Sequence, residues 1–319
     1  MNRGPVYCAP GVKSNNGVCL DNKGLKYYVN LYNNENSNKN KIRNYMQMSD
    51  QELIDEINKK LKNVCNKNDD WCWVDQPFAL SDRNIQNYYK PRIPAERYKW
   101  LTTTDIDNVI RQYEKLFPNF KFLGTVPLDF DKFNNYRLSS NDYCINYRQL
   151  GITKLGAVFN LDTHEKRGSH WVSLFCNLDK NYIAFFDSTG VEQPPKEIRH
   201  LMDVIREKIE SCNPSQYDHL KKYIINKPSQ SLKIKINNVK KQRGGSECGV
   251  FCIYFILKCL LGDDPDNIFQ DANVNDENIN KFRSKIFRPG IGCDNNLFKH
   301  GNHVLDIHLN YLIDPRKNI

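Results

Sequence analysis

Between Ser49 and Val64 the chain reads SDQELIDEINKKLKNV, with Leu53, Ile54, Ile57 and Leu61 at helical spacing. Ser49 followed by Glu52 is a capping box, so the pattern predicts an amphipathic helix with a defined start. A second stripe, Ile106, Val109, Ile110, Tyr113 and Leu116, predicts a helix that Pro118 ends. Strand candidates follow at 120–126, 156–161, 170–176 and 182–186. Residues 196–212 carry Ile198, Leu201, Met202, Ile205 and Ile209 on one helical face, and LKIKINNV alternates as a further strand. From Gly249 to Leu257 the chain is apolar without relief, which predicts a buried helix, too short to span a bilayer. DENINKFRSKIF, near 276–287, reads as a last amphipathic helix. Strands mixed with helices in this order predict an α+β fold, a central mixed β-sheet flanked by helices.

Residues 1–90 differ from the rest: short polar runs, one clear helix and four cysteines. They are expected to form an accessory region, 91–290 the main domain and 291–319 a tail. Within the first region the Asn-rich stretch 33–44 reads as a flexible loop. YYKPRIPAER (88–97), with two prolines, reads as a linker.

The formal net charge of +9 is spread over many lysines without a like-charged block, so a dedicated nucleic-acid arm is not indicated. Only weak attraction to polyanions is left open. The N-terminus shows no apolar signal-peptide core. Eleven cysteines without such a signal point to free thiols in a reducing compartment. Cys8, Cys19, Cys65 and Cys72 are spaced x10 and x6, poor for a zinc knuckle, which prefers x2 to x4, so they are expected to be packing thiols.

The candidate chemistry centres on a thiol. Cys248 stands where the turn Gly244-Gly245-Ser246 meets the apolar helix. A cysteine there feels the positive end of the helix dipole, and its N–H is unpaired and free to face an oxyanion. Cys252 and Cys259 lie deeper in the same helix. His170 opens the strand HWVSLF, and Asp187 ends YIAFFD. If those strands form a hairpin, the carboxylate reaches the imidazole and fixes its tautomer. Gln242, six residues before Cys248, carries an amide suited to the same oxyanion. Each residue alone has an ordinary reading: a buried cysteine, an edge histidine, a turn-starting Asp, a surface Gln. Together, in this order and these settings, they are much more specific.

GSHWVSLF, FFDSTG and QRGGSECGVF resemble the ubiquitin-like-protein proteases, the superfamily of SUMO proteases and adenovirus-type maturation proteases. Its signature is His-Trp, then Asp or Asn after a strand, then Gln and a Cys-Gly dipeptide. Glu247 stands where Asp is commoner. KWLTTTDIDNVIRQYE resembles the family's Trp-Leu segment with a few extra residues. The N-terminal YCAPGVKSNNGVCLDNKGLKYYVNLYN and DDWCW are similar to the leaders of such proteases from large DNA viruses.

The resemblance implies a papain-like cysteine protease with His170, Asp187, Gln242 and Cys248 as catalytic residues and no metal or organic cofactor. It implies Trp100 and Trp171 as substrate-binding residues around a narrow channel for a Gly-Gly segment. A slot walled by indole admits a backbone without Cβ atoms. The implied task is cleavage of viral structural polyproteins, with viral core proteins as partners, in the virion and the host cytoplasm. Three rivals stand beside it: removal of SUMO-like or ubiquitin-like tags, acyl transfer to an amine, and an inactive scaffold that binds core proteins.

Overall fold

The computed structural model describes residues 7–13, 16–67, 69–94, 100–134, 137–141, 143, 150–211 and 231–289. The expected tail, 291–319, lies outside the described residues. The chain divides into two compact units, Met1–Arg97 with Arg283–Ile319, and Tyr98–Phe282.

The first unit is helical. α1 (Asn22–Glu35) is capped by Asp21, whose carboxylate accepts the Gly24 N–H. α2 (Asp50–Leu61) starts at the Ser49–Glu52 capping box. Leu25, Tyr28, Val29 and Tyr32 of α1 join Leu53, Ile54, Ile57 and Leu61 of α2 in one core. Three short helices follow, α3 (Asp70–Val74), α4 (Pro77–Leu80) and α5 (Arg83–Gln86).

Three expectations change here. The stretch 33–44 is not a free loop: its start belongs to α1, and the buried Asn33 amide donates to the Ile42 carbonyl and accepts the Ile42 N–H. A side chain that satisfies both backbone groups of one residue fixes the loop it spans. Nor is 88–97 a linker over its described part, 88–94; residues 95–97 lie outside the described residues. Tyr89 bridges to Cys8, and the Arg288 backbone accepts from Ile93 and donates to Pro91. Lastly, the four N-terminal cysteines are not free thiols, because Cys8 is bonded to Cys19 and Cys65 to Cys72. Two reversals bring them to bonding range, with Cα separations of 5.2 and 5.8 Å. The first is pinned where the buried Asp70 carboxylate accepts the Cys19 N–H, and the second is the turn between α2 and α3.

The second unit is built on a sheet of five strands in sequence order: β1 (Phe120–Pro127), β2 (Lys154–Asn160), β3 (Trp171–Asn177), β4 (Tyr182–Phe186) and β5 (Lys233–Ile236). The central pairs are antiparallel and the two edge pairs parallel, so the sheet is mixed. Period-two alternation sends Leu155, Ala157, Phe159, Val172, Leu174, Cys176, Ile183 and Phe185 into one core. α7 (Lys196–Glu210) covers it with Ile198, Leu201, Met202, Ile205 and Ile209. The opposite face, with Phe175, Tyr182 and Phe186, is covered by α8 (Cys248–Leu260). Phe186 stacks on Phe255 at 4.9 Å. With both faces covered, β2, β3 and β4 are buried almost end to end.

α6 (Thr103–Ile110) precedes the sheet and opens at a capping box of Thr102 and Asp105. Its α-turns stop earlier than the hydrophobic stripe suggests, giving way to a 3₁₀ turn at Arg111–Tyr113. α9 (Pro265–Gln270) and α10 (Asp276–Ile286) follow α8. Among the described residues no helix is long and apolar enough to cross a membrane.

Candidate active site

Three segments meet at the mouth of the β3–β4 hairpin. Ser173 pairs with Phe186, and one step further along the same register lies Asp187, so His170 and Asp187 share an end. His170 Nε2 meets Asp187 Oδ1 at 2.7 Å. The thiol of Cys248, at the first position of α8, hydrogen-bonds the same imidazole. His170, Asp187 and Cys248 are thus one connected set.

The electrostatics follow from that set. His170 is pushed up to about 9: burial works the other way, and hydrogen bonds to Asp187 and then Cys248 outweigh it. Asp187 is held below the ordinary carboxylate range; burial opposes this, and the bonds from His170 and Thr189 prevail. A doubly hydrogen-bonded imidazolium beside a thiol is suited to hold a thiolate and to pass a proton onward.

Gln242 is joined through the residue after Asp187. Ser188 Oγ donates to Gln242 Oε1 at 2.6 Å, and Gln242 Nε2 donates to the Gly244 carbonyl at 3.0 Å. A side-chain amide such as that of Gln242 and a backbone N–H at a helix start such as that of Cys248 are donors of the kind an oxyanion site uses.

The turn between Gln242 and Cys248 is anchored by α10. Asp276 Oδ2 accepts the N–H groups of Arg243 and Gly244, and Asn280 donates to Glu247 Oε1. Glu247 also accepts from the Ser246 N–H and hydroxyl. Burial would raise its pKa, but the bonds from Asn280 and Ser246 lower it. A Cβ on Gly244 would stand 2.6 Å from Glu247 Oε2, whereas one on Gly245 meets nothing within 4 Å. A side chain at Gly244 would therefore displace the Glu247 carboxylate from the place where Ser246 and Asn280 hold it.

Trp100 and Trp171 occupy different situations. Trp100 is 41% exposed. Trp171 is buried, and its indole N–H donates to the Leu101 carbonyl at 2.9 Å, so it has no open face for a ligand and instead holds the segment that carries Trp100. Gly249, next to Cys248, lies under the same segment: a Cβ there would meet Leu101 Cβ at 3.1 Å and Ile106 and Trp171 at 3.3 Å. Gly249→Ala is therefore expected to displace Leu101 and Trp100 and lower kcat/KM about tenfold with little change in stability. Steady-state kinetics with an unfolding curve would check this; unchanged kcat/KM would contradict it.

Several residues of the site carried no recognisable sign in the sequence. Thr189 donates twice to Asp187 Oδ1, each at 2.8 Å. Asn237 donates to the Asp187 carbonyl, and Asn160 holds the Ser169 N–H just before His170. The one legible hint was the turn chemistry of Asp187-Ser188-Thr189. His164, the histidine nearest His170 in sequence, is engaged with Asp129 at 2.8 Å.

Residues 157–290 match the Ulp1 protease family, C-terminal catalytic domain. The chain is 29% identical over 245 residues to the putative thiol protease R355 of Acanthamoeba polyphaga mimivirus, covering 74% of each chain. It is 22% identical over 224 residues to a cysteine protease of African swine fever virus (strain Badajoz 1971 Vero-adapted), covering 65% of this chain and 74% of that one. A crystal structure of the African swine fever virus protease superposes with a TM-score of 0.64 at 19% identity, over 90% of this chain and 97% of that chain, which shows a shared fold. A mixed sheet flanked by helices, a thiol–imidazole–carboxylate set and these likenesses agree: residues 157–290 form a Ulp1-like protease domain, and the chain is a cysteine protease.

Proposed function

We propose that this protease cleaves after glycine in Gly-Gly-X sequences and matures the structural polyproteins of a large DNA virus, within the virion and in the host cytoplasm during infection. The observation that carries the glycine reading is the exposed Trp100 indole, fixed to the nucleophile helix through Leu101, Trp171 and Gly249. On this reading the Trp100 indole walls the approach to Cys248, which favours a substrate backbone without side chains. The viral relatives support the setting.

In this scheme the Cys248 thiolate attacks the scissile carbonyl carbon. The oxyanion that forms faces Gln242 Nε2 and the Cys248 N–H. The His170 imidazolium then gives a proton to the leaving amine, and a thioester remains. His170 takes a proton from water as it attacks the thioester, and Cys248 leaves as thiolate. Asp187 keeps the imidazole oriented throughout.

The same chemistry applied to SUMO-like or ubiquitin-like tags is the second reading. It draws on the printed name of an African swine fever virus relative (isolate Warthog/Namibia/Wart80/1980), a SUMO-1 cysteine protease. Gly-Gly-X peptides, their Gly→Ala versions and a set of tagged proteins separate the two. Fast cleavage of tagged proteins with slow cleavage of peptides would overturn the polyprotein reading.

The pH dependence has a definite sign. His170 keeps its proton up to about 9, so the alkaline limb of kcat/KM is expected near that pH. Asp187→Asn removes a contribution that raises His170, and the limb should move to lower pH while kcat falls. A limb that stays in place in the variant would show that another group sets it.

A further inference from the structure

An oxyanion donor must present its N–H, never its oxygen, to the substrate, and a glutamine amide offers either end. What holds the end presented by Gln242 is Ser188. The amide is buried, with Nε2 donating to a carbonyl, Gly244, that can only accept. Its oxygen is turned the other way and takes the Ser188 hydroxyl at 2.6 Å, a short bond between two buried groups. The Ser188 carbonyl also accepts the backbone N–H groups of Lys241 and Gln242, both at 2.8 Å. Ser188 therefore grips Gln242 at its backbone and at the tip of its side chain. Asp187, the preceding residue, holds His170.

We propose that Ser188 is a positioning residue for the oxyanion site, acting through the Gln242 amide. Its hydroxyl has two effects. It keeps the amide oxygen satisfied, so that the side chain has no reason to rotate its oxygen toward the substrate. It also draws electron density toward Oε1, which makes the Nε2 hydrogens better donors to a developing negative charge, since linked hydrogen bonds strengthen one another. The three-residue turn Asp187–Thr189 thus serves both halves of the chemistry: its carboxylate sets the base, and its next hydroxyl sets the oxyanion donor. The inference rests on reading Gln242 as that donor.

The test uses the full chain, Ser188→Ala, Gln242→Ala and the double variant, with a Gly-Gly aminocoumarin peptide or the best-cleaved protein substrate. Loss of the Gln242 donor is expected to lower kcat by about 10²–10³. Ser188→Ala is expected to lower kcat about tenfold with KM unchanged, and the double variant to be no slower than Gln242→Ala alone. Iodoacetamide reacts at the thiolate without forming an oxyanion, so the alkylation rate of Cys248 should be the same in Ser188→Ala as in the parent. Should Ser188→Ala fail to fold, Ser188→Cys keeps the shape with a weaker donor and should show the kcat loss without the alkylation loss. Wild-type kcat in the folded variant, losses that multiply in the double variant, or alkylation slowed in step with kcat would each overturn the proposal. A Gln242→Ala variant at full kcat would instead remove the reading beneath it.

Discussion

Cys248→Ala is expected to abolish peptide hydrolysis, with kcat down by roughly 10⁴–10⁶, while the fold survives the loss of one sulfur. The other three free thiols among the described residues, Cys176, Cys252 and Cys259, cannot stand in. Burial pushes each of them up: Cys176 sits in the sheet core, and Cys252 and Cys259 lie along the inner length of α8. A thiol without its thiolate is a poor nucleophile, and none of the three touches His170 in the way Cys248 does. Labelling should follow the same order. Cys248 is itself nearly enclosed, so a Gly-Gly vinyl electrophile, slim at the reacting end, is expected to modify it faster than a bulky maleimide. Mass spectrometry of the labelled peptides reads the result. Residual hydrolysis by Cys248→Ala, or label concentrated on Cys252, would remove Cys248 from the role.

The parts of this architecture that were legible in the sequence are those written in short-range patterns. The capping box at Ser49 and the stripe on α2 fix that helix from a dozen residues. β3 and β4 are four residues apart, so their hairpin, and with it the meeting of His170 with Asp187, could be anticipated from local order alone. α8 announced its burial because it lacks a polar face. What escaped is held by side chains whose partners lie far along the chain or in unmarked loops. Asn33 looks like one more residue in an Asn-rich run until its amide is found on Ile42. Tyr89 sits between prolines and polar residues, yet its hydroxyl reaches the Asp70 carboxylate that also takes the Cys19 N–H. Ser188 is one of many serines, and only the fold places its hydroxyl on Gln242. Trp171 is a different case: a motif does not say which way an indole faces, and the fold turns its N–H to the Leu101 carbonyl.

Arg288→Ala is expected to give the largest loss of stability, and it acts in the first unit. The Arg288 guanidinium and the Asp75 carboxylate are both essentially solvent-free and meet at 2.6 Å, across 213 residues of sequence. The second fork nitrogen donates to Gln86 at 2.9 Å, and Arg92 approaches the other Asp75 oxygen at 3.4 Å. Burial lowers the pKa of Arg288, and Asp75 offsets part of that effect, so the charge is tolerable only as a pair. Removing the arginine strands a buried carboxylate with one longer contact, and the expected cost is about 3–5 kcal/mol. Removing both charges with similar volume, as in Asp75→Leu with Arg288→Met, should return much of it, because the isolated ion and not the absent pair is what destabilises. Hydrogen exchange of the α1–α5 amides reads the unit directly, and Arg288→Ala should raise their exchange together. Equal losses in the single and double variants would mean that packing around Arg288, and not its charge, holds the segment. The backbone contacts of Arg288 with Pro91 and Ile93 would then be the place to look.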